Sequence, residues 1–419
     1  MVEKRYSWEA GAILEEHSRR KHKIVREYFA RYLAVRCQRP VQTKFRLAIV
    51  DGFAGGGRYK CGSPGSPIIF IEELRRATEE LNIKRRSEGM APLDVECFLV
   101  LNDFEPEAID VLKDHIAPLL AEITQNVPKL HLQVRYLSKA FEEAYPEIKE
   151  LLERGEYKSV LFNLDQCGHS KVELETITDI IASFSSAEIF YTFGITSLLT
   201  FLQKSDPKRL SKALDPLGVR EADLAQLDAV MNKDAWLGAA ERLVFESFKR
   251  CSKFHSPFSI NNQQGWRYWL IHFASSYRAR QEYNDILHQN KSAQAHFGRS
   301  GLNMLSYDVH DDSTMLYLFD EPGRIEAKKQ LYDDIPRLIS GYGDAINVGD
   351  FYESIYNATP AHTDDVHFAI IENPDLEVTT ADGGGERRKA NTIRASDTLR
   401  LKKQLTFPKF FGAPTKSTR

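Results

Sequence analysis

The sequence predicts an α/β protein built on a doubly wound parallel sheet, carrying a helical insertion and a separate C-terminal unit. Three observations predict it. Short apolar runs alternate five times with helical text. The first run empties into a glycine-rich turn, and the character of the chain changes after about Glu321. Alternation of this kind is the signature of helices packed on both faces of a parallel sheet.

The elements follow in order. The first forty residues read as helix, with Ile13, Leu14, Ile24, Val25, Tyr28, Phe29 and Leu33 at helical spacing. Within it lies HSRRKHK, where His17 and Lys21 stand four apart and so share a face. A strand from Phe45 to Val50 runs into DGFAGGG, and helical text from about Pro67 to Lys84 starts with proline in its first turn. Further strands are expected at Val95 to Leu101, Leu130 to Leu137, Ser159 to Leu164 and Ala187 to Phe193, the first three followed by polar residues at their tips. They are apolar throughout, as strands covered on both faces must be. The segment from about 198 to 258 reads as a helical insertion, and the aromatic run from Gly265 to Tyr277 as one more strand.

Residues 1–320 are thus expected to form the sheet domain and 321–419 the C-terminal one. In the latter, a helix over AKKQLYDDIPRLISGYG precedes two short helices joined at Asn357-Ala358-Thr359-Pro360. Two strands are then expected around the Asp-Gly-Gly-Gly turn of LEVTTADGGGERRKANTIRAS. Helix, helix–turn–helix and hairpin in that order is a winged helix.

The 419 residues are 42% hydrophobic and 27% charged, an ordinary globular balance. No apolar run reaches the roughly 18 residues that span a bilayer, so no membrane role is expected. The five cysteines are scattered and never form a CxxC pair, which points to the reducing cytoplasm and away from a metal site. The last 35 residues hold ten Lys or Arg against Glu386 and Asp397, in a chain whose net charge is −3. A basic end on an acidic body suggests an acidic partner held at one place, nucleic acid foremost, with Arg387, Arg388 and Lys389 as phosphate contacts.

The chemistry is expected at the strand tips, because open α/β sheets bind ligands beyond the carboxyl ends of their strands. Asp51, Phe53, Gly55 and Gly57 form the turn after the first strand. Its glycines let backbone approach a ligand, and Asp51 offers an acceptor to a ligand amine. Asp103 ends the second strand, where a carboxylate takes two ribose hydroxyls or caps the next helix. Ser138, ending the third, would lie beside an adenine. The loop after the fourth carries Asp165, Cys167 and His169: a carboxylate to orient or deprotonate a nitrogen or oxygen, a thiol nucleophile, or a base. His17, Lys21 and His22 read as surface or capping residues, unless the first helix folds back over the Gly55 turn.

At DGFAGGG, NDFEPE and DQCG the sequence resembles the class I S-adenosylmethionine-dependent methyltransferases, with an acidic residue and glycines after strand one and an acidic residue ending strand two. More narrowly it resembles the three-Cys-motif partner proteins. The matching text is HSRRKHKIVREYF, DGFAGGGRY, GSP (Gly65 to Pro67), LDQCG, WRYWLIHFASS and NATPAHTDDV with GGGERR, which together cover almost the whole chain. The resemblance implies a Rossmann-like methyltransferase fold followed by a winged helix, S-adenosylmethionine as cofactor, and a partner protein whose cysteine motif is typical of radical-type iron–sulfur chemistry. The fourth-strand loop departs from it, since Asp165-Gln166-Cys167-Gly168 stands where Asp-Pro-aromatic-Gly is usual. The expected function is methyl transfer on nucleic acid, the alternative a non-catalytic adaptor that recruits the partner. A dinucleotide-dependent oxidoreductase fits less well, because the turn lacks GxGxxG spacing.

Overall fold

The computed structural model describes residues 8, 11–168, 170–195, 244–256, 259–261, 267–290, 294–296, 301–302 and 317–402. Helix α1 (Glu16–Arg36) leads into β1 (Lys44–Asp51), α2 (Ser66–Ser87), β2 (Asp94–Asn102), α3 (Pro106–Asn126), β3 (Leu130–Leu137), α4 (Phe141–Arg154), β4 (Ser159–Leu164), α5 (Leu174–Ser183) and β5 (Ser186–Phe193). Five parallel strands thus stand in the order β3-β2-β1-β4-β5, the doubly wound alternation that the sequence predicts. The proposed insertion falls mostly outside the described residues, apart from a helical stretch at 244–248.

Beyond it come β6 (Phe254–Ser256), β7 (Ser259–Asn261), β8 (Arg267–Ala274), α6 (Tyr277–Asn290), β9 (Gln294–His296) and β10 (Tyr317–Leu318). The aromatic run does supply a strand: β8 pairs antiparallel with β5, and both β6 and β7 pair antiparallel with β8. The result is a mostly parallel mixed sheet flanked by helices, compatible with a Rossmann-like arrangement.

Alternation of side chains along the strands sorts the core into two layers. Leu47 and Ile49 of β1 pack with α1, α2, α3 and α6, while Ala48 and Val50 pack with α4, α5 and Phe248. On α1 the buried positions His17, Lys21, Ile24, Tyr28 and Tyr32 form one stripe. Each large apolar side chain fully buried there stabilises by roughly 1.5–3 kcal/mol. Ile13 and Leu14 precede the helix rather than belonging to it, and Ile13 is exposed. Glu15, just before the helix, is extended, and Lys60 N–H donates to Ala12 C=O at 2.8 Å, so this segment meets the loop that follows the glycine turn.

The C-terminal unit comprises α7 (Glu321–Gly341), β11 (Ala345–Asn347), α8 (Val348–Ile355), α9 (Thr363–Glu372), β12 (Leu376–Thr379) and β13 (Thr398–Leu401), with an antiparallel sheet ordered β11-β13-β12. One expectation is corrected. The text after the glycine turn does meet β12, through an antiparallel bridge of Thr379 with Glu386 and an Arg387 N–H that donates to Val378 C=O at 2.8 Å, but the full strand that pairs with β12 is β13. Leu376 and Val378 face Leu401 and Leu399 across that ladder, and three of these four side chains are buried, whereas NTIRAS offers only the partly buried Ile393. The intervening loop is held by Asp397, whose carboxylate accepts from the Arg387 guanidinium at 2.9 and 3.1 Å and from Arg394 N–H at 2.8 Å.

Helix α6 clamps the unit to the sheet domain. Arg280, fully buried, donates to Tyr356 C=O, Asn284 to Thr359 and Ala361 C=O, and Gln281 to the Tyr356 hydroxyl. Among the described residues no helix is long and apolar enough to cross a membrane.

Candidate functional site

The tips of β1, β2 and β4 converge on the glycine turn. Gly52 must be glycine, since a Cβ there would lie 2.7 Å from the Phe141 ring and 2.8 Å from Leu164. Phe53 packs 5.9 Å from that same ring. Gly55 and Gly57 hold φ of +60° and +83°, a region that L side chains enter only at a cost. A Cβ on Gly55 would overlap the indole of Trp8, which lies across the turn. His115 Nδ1 of α3 sits 2.7 Å from Gly56 C=O and Ala54 N–H donates to Asn102 C=O at 2.8 Å, so the turn is tied on both sides.

Asp51 lies fully buried beneath this turn rather than facing outward. Its Oδ1 accepts from Asn163 at 3.2 Å and from Phe53 N–H at 3.4 Å, while Oδ2 has no hydrogen-bond partner. Burial pushes its carboxyl up to about 7, against the pull of its hydrogen bonds. Asp103 is committed on both oxygens. Gly55 N–H donates to one at 2.8 Å and Glu105 N–H to the other at 3.0 Å, so it ties the glycine turn to the residue that leads into α3. Burial raises its pKa as well. Each oxygen keeps a further lone pair for a ligand hydroxyl. The neighbouring Phe104 is 63% exposed, an apolar surface beside that carboxylate. Ser138 stands exposed at the tip of β3.

Asp165 follows β4. Its carboxylate is bonded by the Lys21 ammonium, which comes from α1 across the mouth of the sheet and is 7% exposed. Burial pushes the Asp165 pKa up, but the charge and hydrogen bond of Lys21, with the Thr192 hydroxyl and His22, outweigh it and hold it below the ordinary value. Gln166 is buried, its carbonyl accepting from Lys171 N–H at 2.8 Å and its Nε2 unpartnered. Cys167 is exposed, yet its low-dielectric walls and the Asp165 charge both push its thiol above the ordinary value, the reverse of an activated thiolate. His169 lies outside the described residues.

The first helix therefore does fold back over the turn, and the residues that sequence reasoning placed at the surface line the site. The His17 ring stacks on Tyr268 of β8 at 4.4 Å and 8°, and Lys21 lies 5.9 Å from the same ring. His22 stands 5.7 Å from Tyr59, its Nδ1 buried without a partner, and burial lowers its pKa to about 4. Tyr59 in turn lies 5.5 Å from Trp8. The signal was present in the sequence: His17 and Lys21 continue the stripe of Ile24, Tyr28 and Tyr32, and a lysine on a core-facing stripe needs a buried partner.

The C-terminal basic residues divide. Arg387 is spent on Asp397, whereas Arg388 (84% exposed) and Lys389 remain at the surface. Helix α9 carries no lysine or arginine. Its start is docked, with Thr363 N–H donating to Asp285 at 2.8 Å and Asp365 held by Arg324 at 2.5 and 2.9 Å. Among the described residues no group of three His, Cys, Asp or Glu side chains could hold a metal ion. No protein-family model matches the chain, and no curated protein matches it.

Proposed function

We propose that this protein is a methyltransferase of the class I type that uses S-adenosylmethionine and acts on nucleic acid, together with a cysteine-motif iron–sulfur partner. The observation that carries the reading is the glycine turn flanked by Asp103, exposed Phe104 and the unpartnered buried atoms Asp51 Oδ2 and Asn102 Oδ1. Buried polar atoms are almost always satisfied, so these two mark a place for a polar ligand. Their chemistry fits the cofactor: Asp103 for ribose hydroxyls, Phe104 for the face of an adenine, and Asp51 for an amine. S-adenosylmethionine supplies, when bound, an electrophilic methyl group on a cationic sulfur. Antiparallel β8 beside β5 departs from the all-parallel 3-2-1-4-5-6 order of dinucleotide folds and argues against hydride chemistry.

In the C-terminal unit, helix, strand, two helices and two strands succeed one another as in a winged helix. Arg388 and Lys389 are the phosphate contacts this reading retains, because α9 is docked at its start and acidic there. Calorimetry with S-adenosylmethionine tests the core of it. The wild type is expected to bind, and Asp103→Asn, which keeps one carbonyl acceptor, to bind at least about tenfold more weakly. Unchanged affinity would sink the assignment of Asp103.

A second reading, a non-catalytic adaptor, is favoured by one observation: the docked, lysine-free α9 suits a protein partner better than a groove of DNA. Copurification of a partner without methyl transfer by the pair would select it.

A further inference from the structure

We propose that α1 forms a wall of the site and that its Lys21 is a positioning residue for Asp165, so that the acceptor meets a carboxylate rather than the Cys167 thiol. The inference rests on the proposed methyl-transfer reading and names its substrate class, a group with an N–H or O–H to donate.

Geometry carries it. Lys21 and Asp165 lie 144 residues apart and meet at the tip of β4. The lysine stem is buried, and the stacked pair of His17 and Tyr268 closes one side of it. An ion pair in such a place is weak evidence of a stability device, because desolvating two charges offsets most of their attraction. Helix α1 has other anchors: Arg26 bonds Glu72 and Glu73 at 2.8 Å, Arg31 bonds Glu282 at 2.6 Å, and the Tyr28 hydroxyl donates to Glu188 at 2.5 Å. What Lys21 adds is a fixed direction for one Asp165 oxygen, while the Asp165 side chain stays 23% exposed. One buried polar atom beside the pair, His22 Nδ1, has no hydrogen-bond partner. A partly exposed carboxylate and the imidazole nitrogen beside it suit a polar N–H or O–H group. They offer a thiol no base, since the nearest carboxylate opposes its ionisation. The charged or titratable groups around the pair are Glu15 just before α1, His17, His22 and Arg26 of α1, Cys167 and Lys171 of the β4 loop, Tyr268 of β8, and Asp51 and Asp103 below.

Cys167 is an exposed reporter of this field, and the only other exposed cysteine among the described residues is Cys61. In a Cys61→Ser background, iodoacetamide labels Cys167 at a rate set by its thiolate fraction. Lys21→Met is expected to slow labelling at pH 8 by about threefold to tenfold and Asp165→Asn to speed it by a similar factor. Lys21→Arg, which keeps the charge, stays near the wild type and controls for folding. Labelling unmoved by both Lys21→Met and Asp165→Asn overturns the pairing. A second readout follows tritium from labelled S-adenosylmethionine into mixed DNA and RNA. Cys167→Ser is expected to retain transfer, while Lys21→Met and Asp165→Asn lose it by tenfold or more. Transfer lost in Cys167→Ser and kept in the other two overturns the assignment. Failure of the wild type to bind the cofactor at all removes the methyl-transfer reading, and the labelling rates still decide the pair.

Discussion

The two ends of the chain handle buried charge differently. In the C-terminal unit buried carboxylates are matched at once: Asp397 takes Arg387 and Arg394 N–H, and Asp365 takes Arg324 with Lys328 beside it. At the strand tips Asp51 Oδ2, Asn102 Oδ1, His22 Nδ1 and Gln166 Nε2 lie buried and unmatched. Gln330 Oε1 and Thr363 Oγ1 of the C-terminal unit are unmatched too, so the contrast is one of carboxylates. Asp397 and Asp365 are paired with guanidinium groups, whereas buried Asp51 is held by the neutral donors Asn163 and Phe53 N–H.

The contrast can be broken first at Asp397. Asp397→Ala leaves the half-buried Arg387 and Arg394 N–H without their acceptor and is expected to cost about 3 kcal/mol in urea unfolding, with cofactor binding untouched. A loss under about 1 kcal/mol would mean that this pair is ornamental.

The opposite behaviour is expected at Asp51, whose carboxyl is raised to about 7 in the folded chain. A carboxylic acid raised on folding gives stability that is full below its unfolded pKa and is lost as pH climbs through its folded one. Stability should therefore fall between about pH 4 and pH 7. Asp51→Asn is expected to flatten that fall by about 2 kcal/mol, measured by urea unfolding at pH 5 and pH 8, and to weaken the cofactor. A parallel profile in the variant would place the titration elsewhere.

The smallest effect sharpens the contrast at the surface. Arg388→Ala and Lys389→Ala should each leave stability within about 0.5 kcal/mol. Each should lower the salt slope of nucleic-acid binding by about one unit. Arg387→Ala should instead destabilise, since its guanidinium holds Asp397.

The sheet's five parallel strands, their order of appearance and the glycine turn were legible because they depend on local periodicity and on residues that tolerate positive φ. The return strand of the C-terminal sheet was not. Its identity depends on the buried Asp397 that folds the loop back, and no hydrophobic period announces such an anchor. The positions of Asp51, Gly55, Gly57, Asp103 and Asp165 at strand tips were legible from the same alternation. Lys21 and His22 were missed because a charged side chain on a helix is ordinarily solvated.

By itself the sequence determined which segments form helices and strands, where the chain turns on glycine, and which carboxylates end the strands, all consequences of short-range backbone geometry and alternation. Only the tertiary structure decided which charges meet. Lys21 reaches Asp165 across 144 residues because α1 packs over the strand tips, and Arg387 serves Asp397 instead of solvent because the loop closes there. Pairing of that kind depends on how whole layers stack, and stacking is set by the summed fit of many side chains rather than by any residue's neighbours in the chain.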